Sequence, residues 1–358
     1  GLRINDRHNE ALAELGTARA IANEGEHGLE LSRIHHMRGN IYYPLGRAQT
    51  CFAEHEAAWL FARKSNSVED EARALGGLGD AHFLAGRIQQ AHKHFDRCVA
   101  LSRTDKLLLT EVAYLPMRAV THMYCLRLQE SLDDCHAVID LATRIGQARG
   151  ELIARSTSSW ILLDRGELQE AEEDARKGLE AVKVIGARRF IPLFNDVIAR
   201  IRLDAGDRNG ALELLDESWS VCREVGVAFA GPVVLGAVAL ATSDPERRLE
   251  ALRQGEAILQ EGCASHNHFR FYRDAIEVSL REGLWDSVET YAETFQSYFA
   301  AEGSPWSDFV IARGRALAAS AQDANVTLVT ELRRLRDYAS NVGMLASVSR
   351  FDQALQDV

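Results

Sequence analysis

The sequence predicts an all-α protein in which antiparallel helix pairs are stacked side by side. A turn built around glycine recurs every 40 residues, and small residues recur at fixed distances from that turn. Of the 358 residues, 46% are hydrophobic and only 6 are prolines, a composition typical of a folded chain with an apolar core. Self-similarity at a fixed period is the mark of a repeat protein, so the repeat sets the expected fold.

The turns share one register over five units. Gly46 and Gly86 lie 40 residues apart, as do Gly166 and Gly206, and 80 residues separate Gly86 from Gly166. At the intervening position the sequence has Leu126, which replaces the glycine but keeps the charged residue that follows it.

Small residues indicate where the two helices of a pair touch. Five residues after each turn position, the side chains are those of Cys51, Ala91, Ser131, Ala171 and Ala211. Seven residues before it, the residues are Gly39, Gly79, Ala119, Ser159 and Ala199. Apolar residues between these points follow i, i+3, i+4, i+7 spacing, as at Leu212, Leu215, Trp219 and Cys222. This spacing predicts a helix on each side of the turn.

This frame resembles the tetratricopeptide repeat, whose unit normally spans about 34 residues. The longer unit found here is similar to the long-helix type present in bacterial regulators such as the maltose-regulon activator. The stretch from Ala74 to Cys98 also resembles the C-terminal repeat region of class III adenylate and guanylate cyclases and of related signal-transduction ATPases. The resemblance implies a right-handed α-solenoid of helix pairs that serves as an interaction or sensing part of a larger bacterial signalling protein.

Counting the repeat along the chain gives the expected organisation. Residues 1–27 form the second helix of a truncated first repeat whose turn falls at Asp6, residues 28–343 form about eight helix pairs, and residues 344–358 form a capping helix. Pro245 suits the first turn of a helix, and Gly283 restores the glycine turn. Because a repeat buries its apolar face only against a neighbour, we expect the chain to have been cut from a longer polypeptide with upstream domains.

Charge and composition argue against several classes of protein. The formal net charge is −11, so binding to nucleic-acid phosphates is not expected. No apolar run reaches the roughly 18 residues of a membrane span, and the first residues lack the pattern of a signal peptide. The 6 cysteines include no Cys-x-x-Cys pair, which favours free thiols in a cytoplasmic protein.

No cluster of residues predicts catalysis, a metal ion or a cofactor. Gly76, Gly77 and Gly79 lack the lysine of a phosphate-binding loop, and close helix packing explains them better. The histidine pairs, such as His35 and His36, have a spacing that points their side chains apart on a helix. No Gly-x-Ser-x-Gly nucleophile motif is present. An enzyme on a helical scaffold is therefore the least favoured hypothesis.

The concave side of the stack is the expected binding surface, because the first helix of each pair lines it. In the tetratricopeptide family, the second, fifth, ninth and twelfth positions face inward when the turn glycine is counted as the fifteenth. The resemblance therefore places these candidates in the groove: Arg33, His36, Asn40, Tyr43, Arg73, Asp80, Phe83, Met123, Ser156, Trp160, Asp196, Arg200, Arg270, Arg273 and Glu277. Arginines beside aromatic rings suit a protein or peptide segment of acidic character. The alternative is a small-molecule sensor, as in sugar-responsive activators.

Overall fold

The computed structural model describes residue 2 and residues 7–322 and 326–356. Asp6, where the first turn is predicted, lies outside the described residues. Within them the regular structure consists of eighteen α-helices and one short 3-10 turn at Arg188–Phe190, without a strand, which confirms the all-α prediction. The helices are α1 (His8–Glu24), α2 (Gly28–Tyr42), α3 (Ala48–Lys64), α4 (Val68–Leu84), α5 (Ile88–Thr104), α6 (Leu108–Tyr124), α7 (Leu128–Ile145), α8 (Ala148–Asp164), α9 (Leu168–Ile185), α10 (Ile191–Asp204), α11 (Arg208–Val225), α12 (Gly231–Ala241), α13 (Pro245–Glu261), α14 (His266–Arg281), α15 (Trp285–Tyr298), α16 (Pro305–Gln322), α17 (Val326–Val342) and α18 (Leu345–Gln356).

Consecutive helices pack against each other along the whole described chain. Helices α2 to α17 form eight successive pairs, α1 packs on α2, and α18 packs on α17 and also touches α8 and α16. The first helices of neighbouring pairs also touch, as α2 touches α4 and α6 touches α8. The pairs therefore form one continuous stack whose inner side is built from first helices.

A residue with positive φ follows each helix from α1 to α11. These residues recur every twenty positions, at 26, 46, 66, 86, 106, 126, 146, 166, 186, 206 and 226. The predicted turn glycines occupy equivalent corners, with φ values of 68° at Gly46, 73° at Gly86, 77° at Gly166 and 84° at Gly206. Leu126 takes the same conformation, with φ at 56°. This conformation is less favourable for leucine than for glycine, because the leucine Cβ is crowded by the backbone.

The regular spacing ends after Gly226. Helix α12 has only 11 residues, fewer than any other helix here. The next helix, α13, has no glycine turn before it. It begins instead with an N-cap, in which the Asp244 side chain accepts a hydrogen bond from the backbone N–H of Glu246 at 2.9 Å, and Pro245 occupies the first turn.

Small residues allow the helices of a pair to approach closely, as the sequence predicts. Cys51 and Ala91 are completely buried between the helices of their pairs. A Cβ atom added to Gly79 would lie 2.5 Å from the Phe95 ring of the same pair, and one added to Gly76 would lie 2.5 Å from the Tyr114 ring of the next pair. These glycines therefore serve packing.

The stack coils far enough for its later helices to touch its earlier ones. The ring of Tyr124 stacks on that of Phe269 with a centroid distance of 3.7 Å, and Ser304 donates a hydrogen bond to the Tyr124 carbonyl at 3.1 Å. The Glu302 carboxylate accepts hydrogen bonds from the backbone N–H groups of Gln89 and Gln90, at 2.9 and 3.1 Å. This closure encloses the inner side of the stack and places the candidate site there.

Candidate functional site

The candidate site is a cleft on the inner side of the coil. It encloses about 850 Å³ of atom-free space, its open mouth included. One wall comes from α2, α4 and α6, and the other from α8, α10, the loop before α12 and the start of α14. Its apolar lining consists of Tyr43, Pro44, Phe83, Met117, Val120, Met123, Tyr124, Ile153, Phe190, Leu193 and Phe229. Its polar lining includes Asn40, Asp80, Arg149, Ser156, Thr157, Arg189, His266 and Arg270.

The structure brings about half of the predicted groove residues to this cleft. Those that line it are Asn40, Tyr43, Asp80, Phe83, Met123, Ser156 and Arg270. A neighbouring opening is lined by His36, Asn40 and Arg73, and it shares Asn40 and Arg149 with the cleft. A third cavity, farther along the stack, contains Arg200, Arg273 and Glu277.

Three predicted residues lie elsewhere. Trp160 and Asp196 are completely buried, and therefore lie behind the inner surface. Arg33 lies near the first end of the stack, where its Nε is 3.2 Å from an Asp70 carboxylate oxygen.

The buried Trp160 ring makes cation–π contacts with three arginines. The guanidinium carbons of Arg270, Arg273 and Arg200 lie 3.9, 4.7 and 4.9 Å from its ring centroid. A cation over the face of an indole ring is attracted by the ring quadrupole, most strongly where water is excluded. The Trp160 ring therefore holds three positive groups in one buried cluster.

Carboxylates neutralise two of these arginines well. Arg200 donates two hydrogen bonds to Asp274, at 3.0 and 2.6 Å, and a third to Asp196 at 3.0 Å. Arg273 donates two long hydrogen bonds to Asp274, both at 3.4 Å, and its Nη1 lies 3.5 Å from an Asp164 oxygen. Burial raises the pKa of Asp164 and of Asp196, and the surrounding arginines oppose this shift.

Arg270 is less well neutralised. Its side chain is buried, with 4% relative exposure for the residue, yet Nε and Nη1 have no hydrogen-bond partner among the described residues. The nearest carboxylate oxygen, Asp196 Oδ2, lies 3.6 Å from Nη1, which is too long for a hydrogen bond. Arg270 therefore brings a buried positive charge with unused donors to the wall of the cleft.

Sequence reasoning missed several cleft residues. Arg149 and Arg189 lie 40 residues apart, so the repeat contained a signal for them. Both arginines lie before the first inward-facing position when residues are counted as in the shorter family unit. The helices here are longer, and the 3-10 turn precedes α10, so each repeat has additional residues at its start. Phe229 and His266 follow the loss of the regular spacing after Gly226, and no repeat position predicts them.

The cleft owes its positive charge to arginine alone. His266 Nε2 lies 2.6 Å from the Phe229 carbonyl oxygen, and burial lowers the pKa of His266 to about 3, so this imidazole is neutral near pH 7. The described part of the chain contains no group of three or more His, Cys, Asp or Glu side chains arranged to hold a metal ion. Over the same residues, no helix combines the length and apolar character needed to cross a bilayer.

Comparisons with known proteins support the fold. Residues 30–104 match the family model of the tetratricopeptide repeat, which confirms the resemblance for that part of the chain. No curated protein sequence matches the chain.

Two solved structures share the fold over most of the chain. A Rap protein complexed with competence and sporulation factor has a TM-score of 0.63 at 12% identity, and the match covers 78% of each chain. The Rap conjugation gene regulator of the plasmid pLS20, in complex with the Phr* peptide, has a TM-score of 0.58 at 12% identity, with 98% of this chain and 96% of that chain covered.

Proposed function

We propose that this chain is a non-catalytic regulatory module that binds a peptide or protein segment in the inner cleft. The observation that carries the proposal is the enclosed shape of the cleft together with its lining, in which an apolar floor is bordered by arginines. Mostly apolar clefts with a few convergent polar groups are the usual form of ligand sites.

The charge of the lining favours an acidic segment. Among the described residues that line the cleft, Arg149, Arg189 and Arg270 are positive and Asp80 is the one acidic residue. The chain as a whole has a net charge of −11, so the local excess of positive charge stands out against its surroundings. A positive site of this kind attracts negative ligands and repels positive ones.

The space beyond the cleft suits an extended ligand. Asn40 and Arg149 line both the cleft and the neighbouring opening, where Asn40 Nδ2 lies 2.9 Å from His36 Nε2. A ligand that continues past Asn40 would reach Arg73 and Tyr114. Extended peptides fit such a continuous path better than compact metabolites do.

The comparisons support a peptide ligand. The two similar structures are complexes of Rap proteins, one with competence and sporulation factor and one with the Phr* peptide. Sequence identity is 12% in both cases, so they support the kind of ligand and leave its sequence open.

The proposed setting is a bacterial signalling protein in the cytoplasm. The resemblance to the repeat regions of nucleotide cyclases and signal-transduction ATPases supports an upstream domain of that type, which the repeats would regulate. Binding in the cleft bridges early and late helices of the coil, so a ligand there would change how firmly the coil is closed.

A small-molecule sensor is the second candidate, favoured by the enclosure of the cleft between both parts of the coil. A library of fluorescent hexapeptides, followed by fluorescence polarisation, tests the first candidate, and a thermal-shift screen of sugars and nucleotides tests the second. Val120→Arg places a large charged side chain in the cleft and should abolish binding of the true ligand. Val184→Arg changes a residue that is 82% exposed and should leave binding intact. Peptide binding that survives Val120→Arg would contradict the proposed site.

A further inference from the structure

The buried Arg270 guanidinium makes fewer hydrogen bonds than it can, so a ligand that supplied an acceptor would stabilise it. Burying an arginine costs free energy when some of its N–H donors find no acceptor, because the hydrogen bonds that those donors made to water are not replaced. Its Nε and Nη1 have no hydrogen-bond partner among the residues described, and it lines the cleft. The described protein groups thus leave part of the hydrogen-bonding capacity of this guanidinium unused, and the cleft is the side from which a ligand can reach it.

Neighbouring groups keep Arg270 in this position. Its guanidinium lies 3.9 Å from the Trp160 ring centroid, the shortest of the three arginine contacts to that ring. Asp196 makes no hydrogen bond to Arg270, because its Oδ1 accepts from Arg200 at 3.0 Å and its Oδ2 lies 3.6 Å from Arg270 Nη1. The fixed guanidinium is thus prepared to bind an anion without first paying for ordering of the side chain.

Arg149 adds a second donor at the same cleft. Its Nε is buried and has no hydrogen-bond partner in the described chain. Arg149 also lines the neighbouring opening, so it lies where a ligand would pass from the cleft outward.

We propose that Arg270, with Arg149, forms a carboxylate-binding subsite, and that an apolar side chain next to that carboxylate packs on Phe83, Met123 and Phe229. This inference rests on the proposed peptide-binding function and specifies its ligand. The carboxylate comes either from an aspartate or glutamate side chain or from the C-terminus of the ligand. Both sources present the same planar group with two acceptor oxygens, which suits arginine.

The test uses matched hexapeptides that carry one aspartate or glutamate beside phenylalanine or leucine. Each is compared with its asparagine or glutamine counterpart, and each is made with a free and with an amidated C-terminus. Fluorescence polarisation should show at least about tenfold tighter binding when the recognised carboxylate is present. Loss on asparagine or glutamine replacement identifies a side-chain carboxylate, whereas loss on amidation identifies the C-terminal one.

Two variants test whether Arg149 and Arg270 cause the preference for a carboxylate, and a third serves as the control. Arg149→Met should remove most of the preference for the carboxylate, and Arg270→Lys should reduce it, because lysine keeps the charge and loses the planar donor group. Arg97→Met, on the outer surface, should leave it unchanged. Far-ultraviolet circular dichroism checks that each variant keeps its helices.

The outcomes separate the two proposals. If hexapeptides bind but neutral and acidic members bind equally, or if a phosphoserine peptide binds more tightly than its aspartate counterpart, the carboxylate subsite is wrong and the peptide-binding function stands. A carboxylate preference that survives both Arg149→Met and Arg270→Lys also overturns the subsite. If no hexapeptide of any charge binds, both proposals are overturned.

Discussion

The Tyr124 ring stacks almost parallel on the Phe269 ring, with an interplanar angle of 13°, and this contact joins the third helix pair to the seventh. Both side chains are at most 1% exposed. Aromatic pairs in such buried positions contribute through apolar burial and through ring geometry.

Tyr124→Ala should lower the free energy of unfolding by about 3–5 kcal/mol, since it removes a buried ring and leaves a cavity at the closure. Urea denaturation followed by circular dichroism measures the loss. Tyr338→Ala removes a tyrosine that is 38% exposed, and should cost much less. Equal losses in the two variants would show that the closure contact adds no special stability.

Glu302→Gln should weaken the start of α5. The Glu302 carboxylate accepts hydrogen bonds from Gln89 and Gln90 and brings negative charge to a helix N-terminus, an arrangement worth about 0.5–2 kcal/mol. Hydrogen exchange should become faster at the first amides of α5. Glu180→Gln, at an exposed site, provides the control and should leave those amides protected.

Gly79→Ala and Gly16→Ala should have opposite effects. A methyl group at Gly79 would lie 2.5 Å from the Phe95 ring, and relieving that overlap should cost about 1–3 kcal/mol. At Gly16 no described atom lies within 4 Å of the added Cβ, so alanine there should stabilise α1 by up to about 1 kcal/mol. Thermal unfolding of both variants provides the measurement, and destabilisation by Gly16→Ala would contradict the prediction.

His268 should make the protein less stable in mild acid. Burial lowers its pKa to about 3 from the ordinary value of 6.5, so the unfolded chain binds a proton between these values and the folded chain does not. Its contribution to stability is complete above pH 6.5 and decreases as the pH falls toward 3. From pH 7 to pH 5 the loss is about 2 kcal/mol for this one group.

His268→Phe keeps a ring in contact with Tyr298, on which His268 stacks at a centroid distance of 3.6 Å. Urea denaturation at pH 7 and pH 5 should show that the variant loses about 2 kcal/mol less than the original protein over this interval. An identical pH dependence in the two proteins would disprove the assignment of this titration to His268.

The repeat made the corners of the fold predictable from sequence. Gly46 and Gly206 occupy equivalent turns because a helix pair of fixed length needs a left-handed residue at the same point in each unit. The small residues Cys51 and Ala91 were predictable for a similar reason, since two helices cannot approach closely around a large side chain.

The candidate site was predictable only in part. Asn40 and Phe83 follow the repeat and line the cleft, whereas Phe229 lies beyond the last regular turn. Arg200 follows the repeat as well, but it is only 8% exposed because Asp274, on the first helix two pairs later, binds its guanidinium and covers it. Contacts of this kind depend on small rotations that accumulate from pair to pair, and no local pattern in the sequence specifies their sum.

The bridge from Glu302 to Gln89 and Gln90 has a consequence for how the chain unfolds. In an open array of repeats each unit depends only on its neighbours, so the ends can fray independently of the middle. Here residues more than 200 positions apart are joined directly, and fraying at one end removes support from the other. The protein should therefore melt as a single cooperative body over most of its length.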